Sequence, residues 1–117
     1  MNNEKLKSTA SYMVQKGKGI LAADESNPTC TKRLASINVE SSYENRNEYR
    51  DMLFSTPNLE EFISGVILFD ETLRQSTITD KILYPEYLND KGVLVGIKVD
   101  CGTKELALHQ GEKITEG

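Results

Sequence analysis

Lys98 stands out among the charged side chains. Within Gly92-Val93-Leu94-Val95-Gly96-Ile97-Lys98-Val99-Asp100, strand alternation sets Leu94, Gly96, Lys98 and Asp100 on one face and Val93, Val95, Ile97 and Val99 on the other. An ammonium in so apolar a run is costly to desolvate without a partner. The physical options are a phosphate, a carboxylate such as Asp24, or a carbonyl substrate that forms a Schiff base. Snorkelling towards solvent near a strand end is the plain alternative. Asp24-Glu25-Ser26 closes another apolar run, where a carboxylate can move a proton or hold a neighbouring ammonium. A loop or helix-capping acid would look the same. Ser26 and Thr29 can hold a phosphate through their hydroxyls and the positive start of a helix, although Pro28 removes one amide from that cradle. Ordinary N-capping accounts for these hydroxyls equally well. Arg33, on the helix that follows, can reach an anion over the same end of the sheet as Lys98 or simply be solvated.

Other residues invite chemistry less. Asp70-Glu71 and Asp100 could join the cluster, pair with Lys98 or cap a helix. His109 lies alone in a polar tail. Cys30 and Cys101 form no CxxC, and with one histidine they do not supply the ligands of a tetrahedral zinc site, so no metal is expected. Gly17-Lys18-Gly19 precedes its strand, whereas a Walker loop follows one.

The elements that must position these side chains alternate between helical and extended periodicity. Leu6, Ala10, Met13 and Val14 mark one face of a helix over 3–16 that Gly17 can end. Apolar runs near 19–24, 64–69 and 92–100 read as buried strands, each ending in acid. Between them, Thr29 or Thr31 can cap a short helix through Leu34, and Ser41 with Glu44 forms a capping box for a helix striped by Tyr49, Met52 and Leu53. Asn58 with Glu61 suggests a further turn, and Pro85 and Gly92 bracket a last short helix. Strands joined by helical crossovers predict an α/β fold whose parallel sheet is buried on both faces. In such folds chemistry gathers at the carboxyl ends of the strands, where Asp24, Asp70, Glu71 and Asp100 fall. No convincing strand is read after Cys101.

The chain has 117 residues, 38% hydrophobic and 27% charged, which fits one globular domain with a lean core. A net charge of −4 without a basic block argues against nucleic-acid binding and against an anionic membrane surface. Its apolar runs are too short to span a bilayer, and the charged start does not read as a signal peptide. A cytoplasmic, reducing setting is expected.

Gly17-Lys18-Gly19-Ile20-Leu21-Ala22-Ala23-Asp24-Glu25-Ser26, Lys32-Arg33-Leu34-Ala35-Ser36-Ile37, Glu44-Asn45-Arg46, Gly65-Val66-Ile67-Leu68-Phe69 and Gly96-Ile97-Lys98-Val99-Asp100 together resemble class I fructose-1,6-bisphosphate aldolase in order and spacing. The likeness covers nearly the whole chain. It implies a (β/α)8 TIM barrel and cofactor-free Schiff-base chemistry. The implied reaction is the reversible cleavage of fructose 1,6-bisphosphate to dihydroxyacetone phosphate and glyceraldehyde 3-phosphate in glycolysis and gluconeogenesis. It further implies that the complete protein is a homo-oligomer. Asp24 matches the family's catalytic aspartate. Ser26, Arg33 and Lys98 match substrate-binding positions, Ser26 and Lys98 near the phosphate remote from the Schiff base. Thr29 stands where the family often has a phosphate-binding serine, and Asn27-Pro28 replaces the usual Thr-Gly.

The resemblance maps residues 1–117 onto the first three βα units, an incomplete barrel of eight. The family's Schiff-base lysine lies on a later strand. The expectation is therefore a half-site, inactive alone. The alternative is a noncatalytic phosphate-binding or partner-binding piece.

Overall fold

The computed structural model describes residues 2–117. Helix α1 (Asn3–Met13) is opened by Asn2, whose side chain accepts from the Glu4 amide. It stops short of the expected residue 16 because the chain turns after Val14 and reaches Gly17 at a φ of +82°, a conformation that costs glycine little. The expected apolar face of α1 does not build a core: Leu6 and Val14 are exposed and the helix buries no residue. It is instead tied to the sheet by hydroxyls. Tyr12 donates to the Gly92 carbonyl at 2.5 Å and Ser64 to the Met13 carbonyl at 2.6 Å.

Strands β1 (Gly19–Ala23), β2 (Ile63–Leu68) and β3 (Leu94–Ile97) form one parallel sheet in the order β1-β2-β3. Between β1 and β2 run α2 (Asn27–Ala35), α3 (Tyr43–Phe54) and α4 (Leu59–Phe62), and between β2 and β3 a 3-10 turn (Asp70–Arg74) and α5 (Tyr84–Asp90). All three expected strands are present, each shorter or displaced by a residue or more. The third is trimmed most, though the Lys98 amide still donates to the Leu68 carbonyl at 2.9 Å beyond its end.

Burial on both sheet faces is not what the structure has. Ala23, Val66, Leu68 and Val93 face inward with Phe54, Leu59, Tyr84 and Leu88 and form the core. Phe54 and Tyr84 meet edge to face at 5.1 Å, the geometry that aromatic quadrupoles favour. Ile20, Ala22 and Gly96, offset by one position and so on the opposite face, stay exposed. One face is covered and the other is largely open, although Gly65 on it is buried beside Met13 of α1.

The helix starts also differ. Ser26, not Thr29 or Thr31, is the N-cap of α2, with Pro28 at its second position. Ser42 rather than Ser41 caps α3, accepting from the Asn45 amide at 3.1 Å. Of the expected stripe of Tyr49, Met52 and Leu53, only Leu53 packs against the core. Arg50 and Phe54 are buried and Met52 is exposed. The turn after Asn58 and the helix bracketed by Pro85 and Gly92 form as expected. After Cys101 the chain makes a small antiparallel pair, β4 (Thr103–Glu105) with β5 (Lys113–Thr115), where no strand was expected. Segments so short and so exposed leave no apolar run to read.

Candidate functional site

The carboxyl ends of the three parallel strands bring the sequence-predicted residues into two groups. In the first, Lys98 sits just past β3 and Asp24 just past β1, with β2 between them. The Lys98 Nζ donates to Asp100 Oδ1 at 2.6 Å and lies 3.5 Å from Asp24 Oδ2. Asp100 Oδ2 also accepts from the Gly102 amide at 3.0 Å, which fixes the acid after the strand. Alternation places Lys98 and Asp100 on one side, and the parallel pairing brings Asp24 across to them. The hydrogen bond that Lys98 donates to Asp100, with the charges of Asp100 and Asp24, raises the Lys98 pKa above its ordinary value despite some desolvation. The same contact from Lys98, helped by the Gly102 amide, lowers that of Asp100. The ammonium, 27% exposed in its side chain, is therefore a fixed positive charge at an open sheet end. Its geometry suits an anion that displaces part of the carboxylate contact.

The second group surrounds the β1–α2 loop. Ser26 Oγ and Thr29 Oγ1 lie 3.2 Å apart at the start of α2, and the Cys30 amide donates to the Ser26 carbonyl at 2.9 Å. The two hydroxyls bond each other instead of capping amides, so they can present oxygens outward. Arg33 does not join Lys98 in a shared contact. Its guanidinium donates to Glu25 Oε1 and, at 2.8 Å, to the Tyr49 hydroxyl. The hydrogen bonds to Tyr49 and then Glu25 raise its pKa. Neither does Asp70-Glu71 join the lysine. Asp70 pairs with Arg74 at 2.6 Å, and Glu71 takes a two-pronged contact from Arg46 at 2.6 and 2.8 Å.

The polar residue that sequence reasoning missed is Arg50. It is 3% exposed, and its guanidinium donates to Glu25 Oε2 at 2.7 Å and to the Glu25 backbone carbonyl at 2.6 Å. Burial by itself would raise the Glu25 pKa, but its backbone amide, Arg50 and Arg33 together hold the carboxyl below the ordinary range. Removing one partner from a fully buried ion pair costs about 3–5 kcal/mol, and the partial exposure of Glu25 sets this pair below that. The one available signal was the spacing of Arg46, Arg50 and Phe54, four residues apart on a single helical face. Two arginines disguised it as the solvated side.

Among the described residues no group of three or more His, Cys, Asp or Glu side chains could hold a metal ion, and no helix is long and apolar enough to cross a membrane. Cys30 is buried, Cys101 is exposed, and both are free thiols.

Comparison with known proteins agrees with this arrangement. The model of the family "Fructose-bisphosphate aldolase class-I" matches residues 5–117. A protein of Xanthomonas axonopodis pv. citri named "Probable fructose-bisphosphate aldolase class 1" is 50% identical over 117 residues, covering 100% of this chain and 35% of the relative. The cytoplasmic isozyme of fructose-bisphosphate aldolase from Cicer arietinum is 54% identical over 115 residues, 98% of this chain and 32% of the relative. Among solved structures, the aldolase of Plasmodium falciparum, crystallised with TRAP and a small-molecule inhibitor, superposes with a TM-score of 0.89 at 46% identity, over 97% of this chain and 33% of that one. The chain thus spans about a third of the length of the relatives it matches. With a three-stranded parallel sheet whose acid-tipped ends carry the lysine, and with a family match over nearly every residue, the chain belongs to the class I fructose-bisphosphate aldolase family.

Proposed function

We propose that residues 1–117 form one partial TIM-barrel domain, the first three βα units of a (β/α)8 class I aldolase, and supply one side of its substrate site. The whole enzyme would cleave fructose 1,6-bisphosphate reversibly to dihydroxyacetone phosphate and glyceraldehyde 3-phosphate, without metal or cofactor, through a Schiff base on a lysine outside this segment. The observation that carries the reading is the Asp24–Lys98–Asp100 contact at the carboxyl end of a sheet whose sequence matches the family throughout.

Each residue has a role that its position permits. Asp24, at the strand tip and beside an ammonium, would hold or move the proton during carbinolamine turnover and carbon–carbon cleavage. Lys98, kept protonated by its acids, would attract the phosphate remote from the Schiff base. Ser26 and Thr29 would donate hydroxyls to that phosphate, and Arg33 would add charge at the rim. The names of the relatives from Cicer arietinum and Arabidopsis thaliana put those two proteins in the cytoplasm or cytosol, and we assign this one there too, as part of a homo-oligomer.

Two measurements test the reading. In the complete aldolase that carries this segment, Asp24→Asn should lower kcat by about 10²–10⁴-fold, the usual worth of a positioned acid or base. An unchanged kcat would remove Asp24 from the chemistry. The isolated 117-residue chain should show no turnover of fructose 1,6-bisphosphate and, incubated with dihydroxyacetone phosphate and borohydride, no covalent adduct. Turnover with an adduct on Lys98 would make this chain a catalyst in its own right and reject the half-site.

A further inference from the structure

We infer that Arg50 is a positioning residue for the remote-phosphate side of the site, acting through Glu25 to hold the β1–α2 loop in its binding shape. The inference rests on the reading of Ser26 and Thr29 given above and adds a residue that touches neither substrate nor reacting atom.

Arg50 lies in the middle of α3, yet its guanidinium is sealed inside and spans three elements. It donates to both the side chain and the backbone carbonyl of Glu25, at 2.7 and 2.6 Å. Its Nε points at the Thr72 hydroxyl, 3.4 Å away in the turn after β2. Glu25 is the residue between Asp24 and Ser26, so a clamp on its carbonyl fixes the peptide that leads directly into the N-cap of α2. The free end of the Glu25 carboxylate is engaged from the other side. Arg33 and the Tyr49 hydroxyl both bond Oε1, the latter at 3.2 Å, and Arg33 in turn is held to Tyr49 at 2.8 Å. One partly buried acid therefore joins α2, α3 and the tip of β1.

The placement separates two halves of the site. Asp24 directly follows the β1–β2 ladder, where Ala23 is in register with Leu68, and it is near Lys98 as well. Ser26, Thr29 and Arg33 lie beyond the ladder, where Glu25 and the Arg33–Tyr49 contact join the loop and α2 to α3. A fork with two parallel donors is required for this, because a lysine has one nitrogen and cannot meet the carboxylate and the carbonyl with the same geometry. Loss of the clamp should therefore loosen phosphate binding while the proton-transfer group stays in place.

The test uses the complete aldolase that carries this segment, comparing fructose 1,6-bisphosphate with fructose 1-phosphate, which lacks the remote phosphate. Arg50→Lys should raise the KM for the bisphosphate about tenfold and leave its kcat within about twofold. Both constants for the monophosphate should stay within about twofold. Tyr49→Phe, which removes one hydroxyl from the network and threatens the fold less, should give a smaller KM rise with the same substrate dependence. Ser26→Ala is run in parallel. Equal losses on both substrates would show a merely structural role and overturn the inference, as would a fall in kcat without a change in KM. If Arg50→Lys fails to fold, Tyr49→Phe alone decides: no bisphosphate-selective rise overturns the inference. If Ser26→Ala is selective and the network variants are not, the positioning role fails and the phosphate reading stands. If Ser26→Ala is not selective either, the phosphate reading fails and the inference with it.

Discussion

Charge at the sheet end is organised by pairs whose pKa values move apart. Glu25 and Asp100 are both held below their ordinary values of 4.5 and 3.8, Glu25 against the opposing pull of burial and Asp100 chiefly by Lys98. A carboxylate with a lowered folded-state pKa contributes stability that is present above its unfolded value and lost as pH falls through the folded one. Lys98 behaves oppositely: its raised pKa contributes below about 10.5 and is lost only as pH rises beyond the folded value. Stability should therefore be flat through neutral pH and fall on acidification below about pH 4.5. Urea unfolding of the chain near neutral pH and in acid measures the difference, and Glu25→Gln should shrink it. An acid limb that survives that substitution intact would show that other carboxylates set it. Asp24, Ser26, Thr29, Arg33 and Lys98 could all be named from the sequence as candidates, since strand ends and hydroxyls near a helix start are visible in residue order. Arg50 could not. An arginine four residues after another reads as solvent-facing until its partner, 25 positions earlier, is found beside it.

Helices α2 and α3 carry the site without supplying its reacting atoms, and their caps fix where each begins. α3 begins one residue later than Ser41-Glu44 suggests, because Ser42 reaches the Asn45 amide while Ser41 accepts from Arg46 through its carbonyl at 2.6 Å. The cap sets where the helix starts, whereas spacing sets its faces: Arg50 and Phe54, one turn apart, are the two buried residues. Ser42→Ala should cost about 0.5–2 kcal/mol of stability, the usual worth of such a cap, whereas Ser41→Ala should cost less because its hydroxyl makes only a long contact to Arg46 at 3.3 Å. Urea melts of the two variants settle which serine caps the helix, and a larger loss for Ser41→Ala would contradict the assignment. Strand positions were more legible than helix faces. Three apolar runs tipped with acid have few other interpretations, while the polar stripe of an amphipathic helix does not announce that two of its arginines point inward.

At the scale of the whole molecule, a sheet of three strands is covered on one side only. Its outer strands β1 and β3 each have a neighbour on one edge, so the other edges offer unpaired backbone groups. The radius of gyration is 16.6 Å, against about 13 Å for a compact domain of this length. Exposed apolar residues include Ile20 on the open face and Ile97 at the end of edge strand β3. The isolated chain should therefore self-associate and bind a hydrophobic dye. Sedimentation that shows a non-associating monomer at every concentration would count against this. Residue order by itself determined the α/β class, the three parallel strands, the acids at their tips and the family, because each depends on local periodicity or on contiguous motifs. Tertiary structure alone decided that one sheet face stays open, that Lys98 is shared between Asp100 and Asp24, that Arg33 turns to Glu25, and that Arg50 is buried. Those outcomes depend on partners remote in sequence, and the energy of bringing two charges together is set by distance and desolvation, which no single stretch of sequence contains.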